Sequence, residues 1–456
     1  MTRPFSEAQW QQIGDEAVDD LRALLRIPTV NPPGDEGPAA DWVEEKLRAD
    51  GLEPVRLDDG ARPNVVARLR GDGTGGGPLL LAGHLDVVPV EPEHWSVPPF
   101  DGVIRDGYLY GRGAIDMKNM VVMCMHVLKL ARRAGLVPTR DILFAAVADE
   151  EEGCTHGSRF LVEQHPEHVR AEYMIGEVGG FSQDIGDHRY YPIQVAEKGM
   201  CRIRITARGE PGHGSIPHGH NALTRLSLAL LLLGETRLPV HRTETVDTTL
   251  TILGETQGGP IRHVLSLLPR RGFTGLVLDR LLPDRALANV FGAWLSNTVT
   301  ATMLDAGIKA NAIPSSASAI LDGRLVPGQT AEDLLREIHA LVGPDYELQV
   351  LAAFEGREDP VDDPLYRAIC DNVRRHDPGS IPMPVLTPGF TDAQFFGRLG
   401  ARCYGYSPVR FPREDGVVFS RLFHGHDERI HVDGFRWGLR ALWDLVHRFA
   451  FAPAGR

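Results

Sequence analysis

The sequence is short of positive charge. Forty-eight lysines and arginines face 61 aspartates and glutamates, for a formal net charge of −13. Nucleic acids and anionic membranes recruit positive surfaces, so neither is expected as a partner. Long apolar runs are also missing. The densest one, residues 226–233, falls well below the ~20 residues that span a bilayer. The opening MTRPFSEAQW has no apolar core of the kind a secretory leader carries. Cysteine is scarce and scattered (Cys124, Cys154, Cys201, Cys370 and Cys403), with no CxxC pair. Such a set predicts reduced, mostly buried thiols in a cytoplasm rather than a disulfide framework. No internal repeat or low-complexity tract stands out. GDGTGGG at 71–77 lacks the GK[ST] ending of a phosphate-binding loop and reads as a hairpin or strand connection.

What is present is an ordinary globular composition, 43% apolar and 24% charged over 456 residues, long enough for two domains. The stretch PLLLAGHLD at 78–86 organises the chain. Its apolar run, 79–82, reads as a fully buried strand of a parallel sheet. His84 and Asp86 follow at its carboxyl end, where α/β sheets bind ligands. A second buried strand, 141–148, ends in the acidic run Asp149–Glu150–Glu151–Glu152, and a third, 172–176, ends at Glu177. Helices are expected at 7–25, 39–50, within 114–135, and at 158–165. Strand alternating with helix is the pattern of a doubly wound sheet.

Near Glu197 the pattern changes. Residues 200–207 alternate like a half-exposed antiparallel strand, 222–233 read as a Leu-rich helix, and 298–305 and 318–325 as strands. The segment 237–297 reads as irregular. This block is expected to be an inserted α+β domain, after which the α/β pattern resumes with a helix at 330–342, a strand at 347–350, and helices at 363–376 and 433–450.

Every strand of the first set thus carries a histidine or a carboxylate just past its end. With Asp116 in GRGAIDMK and His424 in FHGHDERIH, two imidazoles and three carboxylates suit two borderline divalent ions, with zinc expected. One carboxylate would bridge the ions, and an unligated Glu would be the general base. The plainer readings stand beside this. Asp116 could cap the following helix, the acidic run could be a solvated loop, and His424 and His426 could be surface histidines.

These residues carry a resemblance. GHLDVVP, GRGAIDMK, DEEEG, IGEVGG, GHGSIPH, KANAIP and TPGFTDAQFF occur in order over nearly the whole chain. In this the chain resembles the di-zinc metallopeptidase and amidohydrolase family of aminoacylase, acetylornithine deacetylase, succinyl-diaminopimelate desuccinylase and the glutamate and Gly-X carboxypeptidases. WSVPPFDG, DGYLYGRG and DMKN lean towards its carboxypeptidase S and N-acyl-amino-acid hydrolase branch.

The resemblance implies an α/β zinc-peptidase catalytic domain at 1–196 and 314–456, with an α+β lid and dimerisation domain inserted at 197–313. It implies two zinc ions, with cobalt or manganese as substitutes. His84 would bind one ion and His424 the other, with Asp116 between them and Glu151 and Glu177 completing the two shells. Two histidines flank Gly425. The family spacing, with a Glu four residues after the ligand, selects His424 because Glu428 lies four further on. Asp86 would orient His84, and Glu150 would be the general base. The Asp116–Met117 bond would be cis. His213, from a partner subunit where the lid pairs two chains, would hold the oxyanion. Asn311 and Arg324 would hold the substrate carboxylate, and Gly389 and Thr391 would line the pocket.

The expected reaction is hydrolysis of an amide next to a free carboxylate, in N-acyl amino acids first. A metallo-carboxypeptidase or dipeptidase on small peptides comes second, and a biosynthetic deacetylase or desuccinylase third. A non-catalytic relative would be expected to have lost a ligand or the base, and none is missing.

Overall fold

A computed structural model describes residues 5–451 apart from 271, 283 and 284. The first four residues of the stretch read above for a leader therefore lie outside the described residues. The chain divides into two compact units. One comprises the chain up to Val195, Asp359–Met383 and Thr391 onward, and the other comprises Ala196–Glu358 and Pro384–Phe390. Among the described residues no helix is long and apolar enough to cross a membrane. All five cysteines are buried and none forms a disulfide.

The first unit is built on a mixed sheet. Its strands run in the order Val55–Leu57, Asn64–Leu69, Ile142–Val147, Leu79–His84, Tyr173–Gly176, Arg402–Gly405, His188–Glu197. The three strands read from their apolar runs lie side by side and parallel, with His84 opposite Val147 and Leu81 opposite Ile175. Every residue of all three is buried, as a sheet covered on both faces requires. Their carboxyl ends therefore leave the sheet along one edge, and the polar residues that follow are delivered there together. The segment 71–77 connects strands that each pair with Ile142–Val147, so it is a strand connection and not a hairpin.

Helix Glu7–Leu25 starts at a capping box formed by Ser6 and Gln9. Helix Lys118–Arg133 is buried from Lys118 to Ala131. It packs so closely on the central strand that a Cβ at Gly83 would stand 3.0 Å from Val121 Cγ2.

The second unit holds a four-stranded antiparallel sheet in the order Thr298–Ala306, Ser316–Leu325, Gly199–Arg208, Tyr346–Phe354. Its inner face packs Ile203, Ile205, Leu321 and Leu325 against helices Ala222–Glu235 and Ala331–Val342. The expected insertion end at residue 313 differs from this partition. Residues 314–358 belong to the second compact unit, because Gly199–Arg208 is flanked on both sides by strands from that segment. Helix Ala331–Val342 buries Leu334 and Ile338 in that core rather than resuming the α/β pattern.

The reading of 237–297 as irregular is also corrected. The segment contains helices Glu244–Gln257, Gly259–Leu267 and Arg285–Leu295. Thr243 caps the first of these through the Val246 amide, and Gly258, at φ +63°, ends it. Gly258, Pro260 and Pro269 punctuate the segment between its helices, which gives it the look of a loop in sequence.

Candidate metal centre

The shared sheet edge assembles two clusters of potential metal donors. One is His84, Asp116 and Glu177, and the other is Asp116, Glu151 and His424, with the donor atoms of each within 4.8 Å of one another. Asp116 belongs to both. Its Oδ1 lies 3.1 Å from His84 Nε2 and its Oδ2 lies 3.2 Å from His424 Nε2. Glu177 Oε2 is 3.7 Å from His84 Nε2, and Glu151 Oε2 is 3.2 Å from His424 Nε2. His426 points elsewhere, 3.5 Å from Glu91 and against the ring of His94. The Asp116–Met117 peptide bond is cis.

The electrostatics of the clusters call for a cation. Burial works against a charge on His84, but Asp116, Asp86 and Glu177 outweigh it and hold the imidazole well above its usual range. His424, hydrogen-bonded to Asp116 and Glu151, is pushed up to about 10. Burial, reinforced by the charge of Asp116, pushes Glu151 up to about 7. Burial, and then the charge of Glu177, raises Glu150 well above the carboxylate range. Glu151 Oε1 is buried without a hydrogen-bond partner. Imidazole nitrogens, carboxylate oxygens and an unsatisfied buried acceptor around one shared carboxylate fit divalent metal ions of the zinc type.

The surrounding residues fix this geometry. His84 Nδ1 donates to the backbone carbonyl of Asp86 at 3.0 Å, with the Asp86 carboxylate 3.5 Å away. That carboxylate has a second task. It accepts the backbone amides of Glu150 and Glu151, each at 3.1 Å, and the side chain of Asn31 at 2.8 Å. Asp86 therefore ties the first strand end to the second. Behind it Arg62 donates to Asp149 at 2.6 Å, to Asn31 at 3.3 Å and to both oxygens of Glu36, all buried. Glu428 is buried and accepts the amides of Ile115 and Asp116 and the guanidinium of Arg112. The backbone carrying the shared Asp116 is thereby held from the C-terminal segment.

Sequence reading missed Asn31, Arg62 and Glu36 because nothing local marks them. It used Glu428 only as a spacing marker. It also missed Asp392, whose carboxyl is pushed up to about 7 by burial, with the nearby Glu177 charge adding to it. Backbone strain clusters at the centre as well. Asp149, Val178 and His424 take positive φ of 65°, 59° and 57°. For a β-branched residue such as Val178 this costs on the order of 1–3 kcal/mol, which only surrounding structure can hold. Gly405 is required beside it, because a Cβ there would collide with the Glu177 and Val178 carbonyls.

Of the other expected site residues, Thr391 lies in the first unit, where its Oγ1 accepts the Ala393 amide at 3.2 Å. His213, Asn311, Arg324 and Gly389 lie in the second. His213 is exposed on a short strand paired with Ala312–Ile313 and contacts Ser215 Oγ at 2.7 Å. The Asn311 carbonyl accepts the Gly214 amide. Arg324 pairs with Asp322 at 3.0 Å and stands over the Phe390 ring.

Residues 80–448 match the peptidase family M20/M25/M40. The chain belongs to this family. As an M20 member it is a hydrolase of a metal-dependent family, and the two donor clusters are its candidate metal sites. It is 30% identical over 378 residues to the N-fatty-acyl-amino acid synthase/hydrolase PM20D1 of Homo sapiens, covering 81% of this chain and 73% of that one. It is 27% identical to aminoacylase-1 of Sus scrofa over 96% of both chains. Among solved structures, the M20 family metallo-carboxypeptidase Sso-CP2 from Sulfolobus solfataricus superposes with a TM-score of 0.70 at 17% identity, over 95% of this chain and 99% of that one. This last likeness concerns the fold, and it agrees with the expected α/β class.

Proposed function

We propose that this M20 member is a di-metal amidohydrolase that cleaves N-acyl amino acids to a carboxylic acid and a free amino acid. The observation that carries the reading is Asp116, which turns one carboxylate oxygen to each of two imidazoles within two donor clusters. The likeness to an N-fatty-acyl-amino acid hydrolase and an aminoacylase supports the substrate class.

In this reading His84 and Glu177 would hold one zinc ion and Glu151 and His424 the other, with Asp116 belonging to both donor sets. Bound metal supplies Lewis acidity for the scissile carbonyl and for water. Glu150, beside both clusters but in neither, takes the proton from the attacking water. The new C–O bond forms, the C–N bond breaks, and Glu150 returns the proton to the leaving amine. Asp86 keeps Glu150 in register through its backbone amide. His213 holds the oxyanion, and Asn311 and Arg324 hold the substrate carboxylate, the planar guanidinium pairing both oxygens. Gly389 and Thr391 line the pocket. The second unit acts as a lid and pairs two chains. Five buried thiols outside any disulfide suit a reducing cytoplasm.

The test is amine release from N-acyl amino acids and from dipeptides, with and without chelator. Chelator-sensitive hydrolysis of the acylated set, restored by added zinc, is expected. Cleavage of dipeptides alone would move the enzyme to the peptidases of the family.

A further inference from the structure

A row of aromatic rings runs outward from the metal centre within the first unit. Phe181 lies four residues after Glu177, and Phe419 lies five before His424. Their rings stack face to face with centroids 3.6 Å apart and planes within 1°. The ring of Phe423 stands 5.9 Å from Phe419 and 5.6 Å from His424. Phe411, itself buried, supports Phe419 from beneath at 6.3 Å. The loops are pinned where the rings meet. Phe181 bridges to Val409, and the Phe411 amide donates to Ser182 Oγ at 2.8 Å.

This row does not close over into a loop core. Phe423 remains 38% exposed and the adjacent Val418 44%, while Phe181 and Phe419 are partly exposed in spite of their stack. Scattered exposed apolar side chains are ordinary on any protein. A continuous row that ends on a metal-donor histidine is different, because the reacting carbonyl must come to that histidine's end of it.

We propose that Phe181, Phe419 and Phe423 line a subsite for the acyl chain of the substrate, which selects apolar acyl groups longer than acetyl. This rests on the amidohydrolase reading and extends it. A substrate of that class has one charged half, the amino-acid carboxylate, and one apolar half, the acyl chain. Ring faces offer a carboxylate no donor, so they receive the apolar half. Each methylene laid against them leaves water, and binding grows with chain length.

The experiment compares kcat/KM for the N-acetyl, N-octanoyl and N-dodecanoyl derivatives of one amino acid in the zinc-loaded wild type, Phe423→Ala and Phe419→Leu. Bound metal is measured in each protein. The wild type is expected to favour the longer chains. The dodecanoyl-to-acetyl ratio is expected to fall about tenfold in Phe423→Ala, the scale of a lost apolar pocket contact. It should fall less in Phe419→Leu, which keeps the loop filled, with metal content intact in both. An unchanged ratio in both variants overturns the subsite. So does an equal loss on all three substrates, which would mean only that His424 had been disturbed. Hydrolysis of dipeptides with none of the N-acyl set would overturn the amidohydrolase reading and the subsite together. Hydrolysis of the acyl set with unaltered ratios overturns the subsite alone.

Discussion

Glu150→Gln is expected to lower kcat by about three orders of magnitude, the range of a general acid–base catalyst, and to leave bound metal at the wild-type level. Glu150 sits on the loop that Asp86 holds by two backbone amides, next to Glu151 and against Glu177. Its own carboxylate belongs to neither donor cluster. Glutamine keeps the length, the shape and one acceptor oxygen, so packing and donor geometry should survive, but it cannot take a proton from water at neutral pH. The check is a steady-state assay beside elemental analysis of the same preparation. Retention of more than about a tenth of wild-type kcat would remove Glu150 from the proton-transfer role, because a base contributes at least about a hundredfold. Loss of metal with loss of activity would instead make it a ligand.

Arg62→Met is expected to destabilise the protein by about 3–5 kcal/mol, the typical cost of removing one partner from a buried ionic cluster. Arg62 is 8% exposed and meets Glu36, Asp149 and Asn31, with Asp86 at 3.9 Å. Without the guanidinium, the buried carboxylates of Glu36 and Asp149 lose their counter-charge in a poorly solvated place. Urea unfolding of the two proteins measures the difference. A loss below about 1 kcal/mol would match an exposed pair instead and contradict this account of the network.

Much of the first unit was legible because its signals are local. Continuous apolar runs named the three central strands, and the strand bounds found are within two residues of those read. The parallel register then explains why His84, Glu150, Glu151 and Glu177 share an edge, which no single run could reveal. Asp116 and His424 were legible from motifs only, because they reach the clusters through loops. What stayed hidden is non-local. The Arg62 network joins residues 26 to 118 positions apart with no periodicity. The true extent of the second unit depends on Tyr346–Phe354 pairing with Gly199–Arg208, a choice of partner that no local pattern specifies. The second task of Asp86, receiving the Glu150 and Glu151 amides, likewise appears only once the strands are aligned.

The central claim is a pair of metal ions sharing Asp116. Anomalous diffraction at the zinc edge from crystals of the zinc-loaded protein tests it most directly. Two peaks are expected about 3.5–4 Å apart, each about 2.0–2.2 Å from its nitrogen and oxygen donors. One should be bounded by His84, Asp116 and Glu177, and the other by Asp116, Glu151 and His424. A single peak, or peaks that do not both contact Asp116, would contradict the account.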